Sequence, residues 1–119
     1  MSSTEKGRVW ERAVAKYLKT FWDFPAFRLR GTEGPRDQGD IGGFDRWALD
    51  CKNQAKWNLG SWVTQAKQEA INASKPLSAV IVKREGHSIE DALVVMDLKS
   101  WCYLEAYLDG MSTEIRRSL

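Results

Sequence analysis

Carboxylates and one lysine stand at spacings that could hold a divalent metal ion beside a phosphate. Around Asp50-Cys51-Lys52 apolar and polar residues alternate as in a strand, so the Asp50 and Lys52 side chains leave the same face. Asp40 lies ten residues before Asp50, and a hairpin between them would bring the two acids together. Carboxylate oxygens suit Mg²⁺, and a lysine adds a fixed positive donor. These residue types predict metal-dependent phosphodiester cleavage.

A helix before this strand pair supplies a third carboxylate, Glu11. Apolar residues at helical spacing predict an amphipathic helix that ends before Pro25: Trp10, Val14, Tyr17, Leu18 and Phe21. Ser2 and Glu5 have the spacing of a capping box at its start. Glu11 lies near Leu18 on the helical wheel, at the edge of the apolar stripe. It can therefore approach the rim of a neighbouring sheet.

The remaining patterns complete an α/β domain. Alternating or apolar runs predict strands at residues 26–30, 40–44, 46–52, 78–83 and 92–97. A second amphipathic helix lies between the third and fourth strands, with Ser61 as its N-cap and Pro76 as its limit. A final helix covers residues 100–108, followed by a polar tail. The order α-β-β-β-α-β-β-α predicts one domain, residues 1–119, with a mixed central β-sheet flanked by helices.

The Asp-x-Lys triplet is specific only through its surroundings. With 16 Asp and Glu residues in the chain, an acid two positions before a lysine is common by chance. A second copy, Asp97-Leu98-Lys99, ends a strand and runs into a helix, and no acidic strand precedes it at hairpin distance. Only Asp50-Cys51-Lys52 follows both an acidic strand and an acidic helix position.

The formal net charge of +2 conceals a segregated distribution. Residues 31–50 carry a net −3 between residues 1–30 at +4 and residues 51–84 at +5, and residues 85–114 carry −6. An acidic pocket enclosed by basic stretches suits a metal site that must also approach phosphate. Solvated surface charge would give the same pattern.

Four motifs in this order resemble the PD-(D/E)XK nuclease superfamily: Glu11, Gly39-Asp40-Ile41, Asp50-Cys51-Lys52-Asn53 and Gln65 on the following helix. Within that superfamily, three further segments resemble the small Holliday-junction resolvases of archaea and phages: Gly7-Arg8-Val9-Trp10-Glu11-Arg12, Arg30-Gly31 and Ile81-Val82-Lys83-Arg84. The resemblance covers residues 7–84. Two positions depart from the pattern, because Gly39 replaces the proline that names the motif and Asp50 replaces the commoner glutamate.

The resemblance implies a fold, a cofactor and partners. It implies a restriction-endonuclease-like core, a homodimer, and Mg²⁺- or Mn²⁺-dependent endonuclease activity on branched DNA such as a four-way junction. Asp40, Asp50 and the backbone carbonyl of Cys51 would bind the metal ion. Lys52 would position or polarise the attacking water and stabilise charge. Glu11 would bind the metal through water or orient the site, and Gln65 would make a secondary contact to the metal or the phosphate.

Basic residues and one tryptophan are candidates for contacting DNA. Besides Gln65, the candidate DNA-binding residues are Arg30, Arg36, Lys56, Trp57, Lys67, Lys83 and Arg84. Trp57 directly follows the Lys52 strand and could stack on an unpaired base, although tryptophans more often pack in the core. Alternatively, these basic residues do not contact DNA and only keep the protein soluble.

Several functional classes are disfavoured. No apolar run is long enough for a membrane helix, and the first residues do not resemble a signal peptide. Two cysteines are too few for a disulfide framework, which favours reduced thiols in a cytoplasmic protein. The resemblance implies that the cell is bacterial or archaeal, with a phage gene also compatible. A single histidine, His87, gives no basis for histidine chemistry. Two alternatives stay open: a nuclease of the same fold acting on another substrate (restriction-type, single-strand or flap), and a non-catalytic nucleic-acid-binding module.

Overall fold

Three helices and a five-stranded mixed sheet make up the protein in the computed structural model, which describes residues 3–30 and 36–118. Side chains are described for residues 4–30 and 36–110. In chain order the elements are α1 (Ser3–Trp22), β1 (Phe27–Arg28), β2 (Ile41–Gly42), β3 (Trp47–Lys52), α2 (Leu59–Asn72), β4 (Leu77–Val82), β5 (Leu93–Val95) and α3 (Leu98–Ser118). A 3₁₀ turn at Ile89–Asp91 precedes β5. The predicted element order and the α/β class are confirmed.

The sheet has the strand order β1-β2-β3-β4-β5, and each strand pairs with its neighbours in sequence. The β3–β4 pair is parallel because α2 crosses between them, whereas the other three pairs are antiparallel. In this register Asp50 lies opposite Val80 and Lys52 opposite Val82. The two functional side chains therefore project from a strand that the core fixes along its full length.

Helices cover both faces of the sheet. On one face, Trp10 and Val14 of α1 pack with Leu49 and Ile81, and the Trp10 indole N–H donates to the Ile81 carbonyl at 3.1 Å. On the other face, Trp62 and Ala66 of α2 pack against Val80 and Val82. All six residues of β4 are buried, as expected for a strand covered on both faces. Among the described residues, no helix is long and apolar enough to cross a membrane.

The second and third helices begin earlier than the sequence predicts. Ser61 is not the N-cap of α2, because the Trp62 N–H donates to the Asn58 carbonyl at 3.0 Å and closes a first turn that begins at Leu59. Asp97 is the N-cap of α3, because its carboxylate accepts the Ser100 N–H at 3.0 Å. The predicted capping residue of α1, Ser2, lies outside the described residues.

The edge strands are shorter than predicted, and the inward side chain of the first differs. The alternation along residues 26–30 predicts a half-buried strand with Phe27 and Leu29 on one face and the two arginines on the other. The apolar face would be the packed one, but Phe27 is 54% exposed. Arg28 occupies the side covered by α1, where its guanidinium lies 3.5 Å from the Glu11 carboxylate. The alternation correctly predicts which side chains share a face of the strand. Hydrophobicity predicts the wrong face as the inner one, since Arg28, paired with Glu11, lies on the side covered by α1.

Two glycines allow the chain to pass close to its neighbours beside β2. Gly39 has a φ of +99°, and a Cβ there would lie 2.7 Å from the Leu49 carbonyl oxygen. Gly43 also has a φ of +99°, and its Cβ would meet the Pro25 carbonyl. Proline fixes φ near −65°, so it cannot adopt the backbone of Gly39. A proline at position 39 would therefore require a different backbone conformation.

We predict that Gly39→Ala destabilises the protein by about 1–3 kcal/mol, because the added Cβ combines positive φ with a backbone collision. Gly60→Ala is the matched control, since nothing lies within 4 Å of its Cβ position and its φ is ordinary. Chemical denaturation of both variants measures the difference. Equal stability of the two variants would contradict the assigned backbone conformation.

Candidate functional site

Asp40 is held beside the middle of β3 by backbone bonds on both sides. Its N–H donates to the Leu49 carbonyl at 2.8 Å, and its own carbonyl accepts the Leu29 N–H at 2.9 Å. Its carboxylate accepts the Cys51 N–H at 2.8 Å. The strand pairing predicted from the sequence thus brings Asp40 to Asp50, although β2 itself has only two residues.

Asp50 is almost fully buried, with 3% of its surface exposed. One of its oxygens accepts the Cys51 N–H at 3.1 Å, so the carboxylates of Asp50 and Asp40 share this donor. The other oxygen lies 3.8 Å from the Lys52 ammonium and has no hydrogen-bond partner among the described residues. A buried polar atom without a partner is unusual in a folded protein and marks a position where a ligand can bind.

Lys52 is positioned by α2. Its ammonium donates to the Gln65 side-chain oxygen at 3.0 Å and lies on the same face of β3 as the Asp50 carboxylate. The structure therefore brings together Asp40, Asp50, Lys52 and Gln65, four residues that the sequence analysis selected. The Cys51 backbone lies between the two acids, while the Cys51 side chain packs with the α1 side of the core.

Glu11 reaches this group from α1. Its side chain is 17% exposed and pairs with Arg28 at 3.5 Å. Burial and the neighbouring Asp40 raise the pKa of Glu11, which places the two carboxylates within electrostatic reach. The position predicted for Glu11, at the edge of the buried stripe, is confirmed.

The sequence analysis missed Glu69, which is the second buried acid of the site. It is 2% exposed, and neither carboxylate oxygen has a hydrogen-bond partner among the described residues. It lies one helical turn after Gln65, on the face of α2 that also carries Ala66 and Ala70. That position in the apolar stripe was the available signal. Asp37 lies close enough to Glu69 to raise its pKa.

Crowding of carboxylates shifts their proton affinities upward. Burial, followed by the hydrogen bond and charge of Asp50, raises the pKa of Asp40 to about 8. Burial and then Asp37 raise the pKa of Glu69 to about 8. Burial also raises the pKa of Asp50. One lysine is insufficient to balance these acids, so a site with all of them ionised calls for added positive charge.

The donor set fits a hard cation such as Mg²⁺ or Mn²⁺. Asp40 and Asp50 offer carboxylate oxygens, and one oxygen of Asp50 lacks a hydrogen-bond partner in the described parts of the chain. Among the side chains described, those of residues 4–30 and 36–110, no group of three or more Asp, Glu, His or Cys residues is placed to hold a metal ion. Two carboxylates with a backbone carbonyl and water are the set that this site could offer. Mg²⁺ commonly keeps several waters in such sites.

The Cys51 thiol does not suit nucleophilic catalysis. Burial, followed by the charges of Asp40 and Asp50, raises its pKa well above the ordinary value. A thiol in this environment stays protonated, whereas the thiolate is the reactive form.

The candidate DNA-contacting residues divide into groups. Lys83 and Trp57 line a cleft beyond the end of β3, and Trp57 is 42% exposed. Lys67 lies elsewhere, paired with Asp97 at 2.8 Å between α2 and α3. Arg30, Arg36 and Lys56 are exposed and Arg84 is half-buried. The structure thus brings Lys83 and Trp57 near the site residues but directs Lys67 toward α3.

Comparison with known proteins assigns no family to this arrangement. No family model, curated protein or solved structure matches the chain significantly.

We predict that the metal-free protein loses stability as pH rises from about 5 to about 8. The pKa of Asp40, about 8 against an ordinary 3.8, means that the folded state binds a proton more tightly than the unfolded state. The resulting stability is complete at acidic pH and is lost as pH rises through the folded pKa. Melting temperatures in EDTA across this range test the direction.

Asp40→Asn is the matched variant, since its amide oxygen can still accept the Cys51 N–H. We expect a shallower pH dependence in this variant, and a shallower one in the wild type with excess Mg²⁺. Stability that rises with pH in EDTA, or an unchanged slope in Asp40→Asn, would contradict the charge crowding at the site.

Proposed function

We propose that the protein is a metal-dependent, structure-selective DNA endonuclease that cleaves four-way junctions, with a restriction-endonuclease-like core. One observation carries the proposal: carboxylates from two neighbouring strands, Asp40 and Asp50, converge on the Cys51 N–H while Lys52 projects beside them. This arrangement suits hydrolysis of a phosphodiester. Its motifs resemble those of the PD-(D/E)XK superfamily in residue type and order.

In this proposal Asp40, Asp50 and the Cys51 carbonyl hold the ion, and Glu11 contacts it through water. A bound Mg²⁺ or Mn²⁺ would lower the pKa of a coordinated water and neutralise charge on the phosphate. The chain's own contribution is rigidity, because Asp50 and Cys51 belong to a strand whose parallel partner is buried throughout. Fixed ligands need little reorganisation when the substrate binds.

Lys52 orients the attacking water and stabilises negative charge on the phosphate. Gln65 accepts one of its three ammonium protons, which leaves the others for water and a phosphate oxygen. The water oxygen forms a bond to phosphorus as the bond from phosphorus to the 3′ oxygen breaks. The attacking water releases a proton to solvent and the leaving 3′ oxygen takes one up, so the products carry a 5′-phosphate and a 3′-hydroxyl.

A homodimer would supply two such sites for the two symmetric cuts of a junction. Exposed apolar side chains on one face of α3 support self-association: Leu98 is 74% exposed, Trp101 51% and Leu108 47%. Apolar clusters of this kind commonly mark protein interfaces. The acidic stretch at residues 85–114, which includes most of this helix, would face away from DNA or into the dimer, apart from Glu85 at its start.

A non-catalytic DNA-binding module is the second candidate. The observation in its favour is that no complete group of three metal-ligating side chains exists in the described parts of the chain. In such a module the carboxylates would be satisfied by ion pairs. Among the described residues, however, one oxygen of Asp50 and both oxygens of Glu69 have no hydrogen-bond partner. Carboxylate-dependent Mn²⁺ binding distinguishes the candidates, because only the nuclease requires it.

We predict that the purified protein nicks four-way junctions with Mg²⁺ or Mn²⁺ and is inactive in excess EDTA. Asp50→Asn and Lys52→Ala should each lower the cleavage rate by about 10²-fold or more and keep junction binding, because each removes a group that acts on the reacting phosphate. Lys99→Ala, in the other Asp-x-Lys triplet, is the matched control and should keep full activity. Cleavage undiminished in EDTA would refute the mechanism.

We also predict a preference for branched substrates. Rates measured on a four-way junction, a flap and a linear duplex of the same sequence should rank the junction first. Faster cutting of the linear duplex or of a single strand would assign the protein to a nuclease of the same fold with a different substrate.

A further inference from the structure

We propose that the cleft beyond the end of β3 binds an unpaired nucleotide of the DNA substrate, with its base on Trp57 and a neighbouring phosphate between Lys6 and Lys83. The inference rests on the proposed function and specifies which feature of branched DNA the protein contacts. The cleft has a volume of about 740 Å³, and its lining includes Trp57, both lysines, Asn53, Gln54 and Glu85. Clefts of ~300–1,000 Å³ are typical of sites that enclose small ligands.

The cleft is continuous with the candidate catalytic strand. Asn53, in its lining, directly follows Lys52, and the Lys83 N–H donates to the Lys52 carbonyl at 2.9 Å. The wall of the cleft and the lysine at the site therefore belong to the same backbone segment. Lys52 projects toward α2, whereas Lys6 and Val9 in the lining belong to α1, so a DNA strand that reaches both would pass over the end of β3.

Trp57 offers an aromatic face for a base. Its side chain is 42% exposed although it lines a concave surface, and it has no aromatic partner in the described parts of the chain. Inside a duplex both faces of each base are covered by neighbouring bases. Trp57 can therefore stack only on a base that has left the helix, as at a branch point, flap or gap.

Lys6 and Lys83 supply positive charge from separate elements, α1 and the end of β4. Neither lysine forms an ion pair with another described residue. Glu85 also lines the cleft and would repel a phosphate. The DNA backbone would therefore lie on the side of the cleft that carries the two lysines. Asn53 and Gln54 add amide groups that can donate to and accept from base edges.

The test compares binding to two DNAs of the same sequence, a continuous duplex and one with a three-nucleotide gap. Fluorescence anisotropy is measured on the full-length protein in Ca²⁺, with gels to show that the DNA stays intact. We expect Trp57→Ala to weaken binding to the gapped DNA about 10-fold and to leave duplex binding within about 2-fold, as stacking on one base implies. Trp57→Phe should keep affinity within about 3-fold of wild type.

Matched controls separate the cleft from general surface effects. Trp22→Ala removes another exposed tryptophan (58%) and should not change the preference for gapped DNA. Lys6→Ala with Lys83→Ala should weaken binding and lower the salt dependence of the affinity more than Lys16→Ala with Lys19→Ala, which removes the same charge elsewhere on α1. Melting temperatures confirm that each variant is folded.

An equal loss on both DNAs, or no loss in Trp57→Ala, would overturn the proposal. A Phe variant as weak as the Ala variant would also overturn it, because a phenyl ring retains a stacking face. If the wild type cuts no DNA yet binds gapped DNA through Trp57, the nucleotide-binding role of the cleft is supported and the nuclease proposal fails. If cleavage is metal-dependent and Trp57→Ala does not change substrate choice, the nuclease proposal is supported and the nucleotide-binding role of the cleft is refuted.

Discussion

Electrostatic repulsion among buried carboxylates governs the site described here. Asp40 and Asp50 both accept the Cys51 N–H, while the nearby Glu69 accepts no hydrogen bond from a described residue. Full ionisation would place several negative charges where water is excluded, and Lys52 offsets only one of them. Without added positive charge, the site is therefore most stable with protons on some of the acids, and the pKa values of Asp40 and Glu69 are accordingly raised to about 8. Packing of α1 and α2 on the sheet keeps the acids together despite their repulsion.

The sequence predicted those parts of the fold that depend on periodicity. Alternation along Trp47–Lys52 placed Asp50 and Lys52 on one face, and the helical stripe around Trp10 and Val14 placed Glu11 at its edge. These features follow from backbone geometry, which a local pattern contains. Glu69 was missed although it lies in the apolar stripe of α2, because the acids that interact with it, Asp37 and Asp50, are distant in sequence. Phe27 was placed inward for a related reason, since the Glu11 carboxylate that pairs with Arg28 on the α1 side of β1 is also distant in sequence.

The two Asp-x-Lys triplets show how the same residues acquire different roles. In the first, the acid is buried within a strand and its lysine is held by Gln65 from a neighbouring helix. In the second, Asp97 caps α3 and pairs with Lys67, and that hydrogen bond lowers the pKa of Asp97 to about 2. One oxygen of Asp50 has no hydrogen-bond partner among the described residues, whereas the carboxylate of Asp97 is bonded to Ser100 and Lys67. Burial and unmet hydrogen bonding, rather than the motif, distinguish them.

The unequal lengths of β2 and β3 have a dynamic consequence. Asp50 belongs to a six-residue strand with a fully paired parallel neighbour, whereas Asp40 precedes a strand of two residues. β2 is buried but pairs with its neighbours through only one or two residues, so few backbone bonds resist its local opening. A cation bridging Asp40 and Asp50, as the proposed function requires, would tie this short strand to the central one. Hydrogen exchange of the Asp40 amide would then slow on metal binding, while exchange in β4 would stay nearly constant.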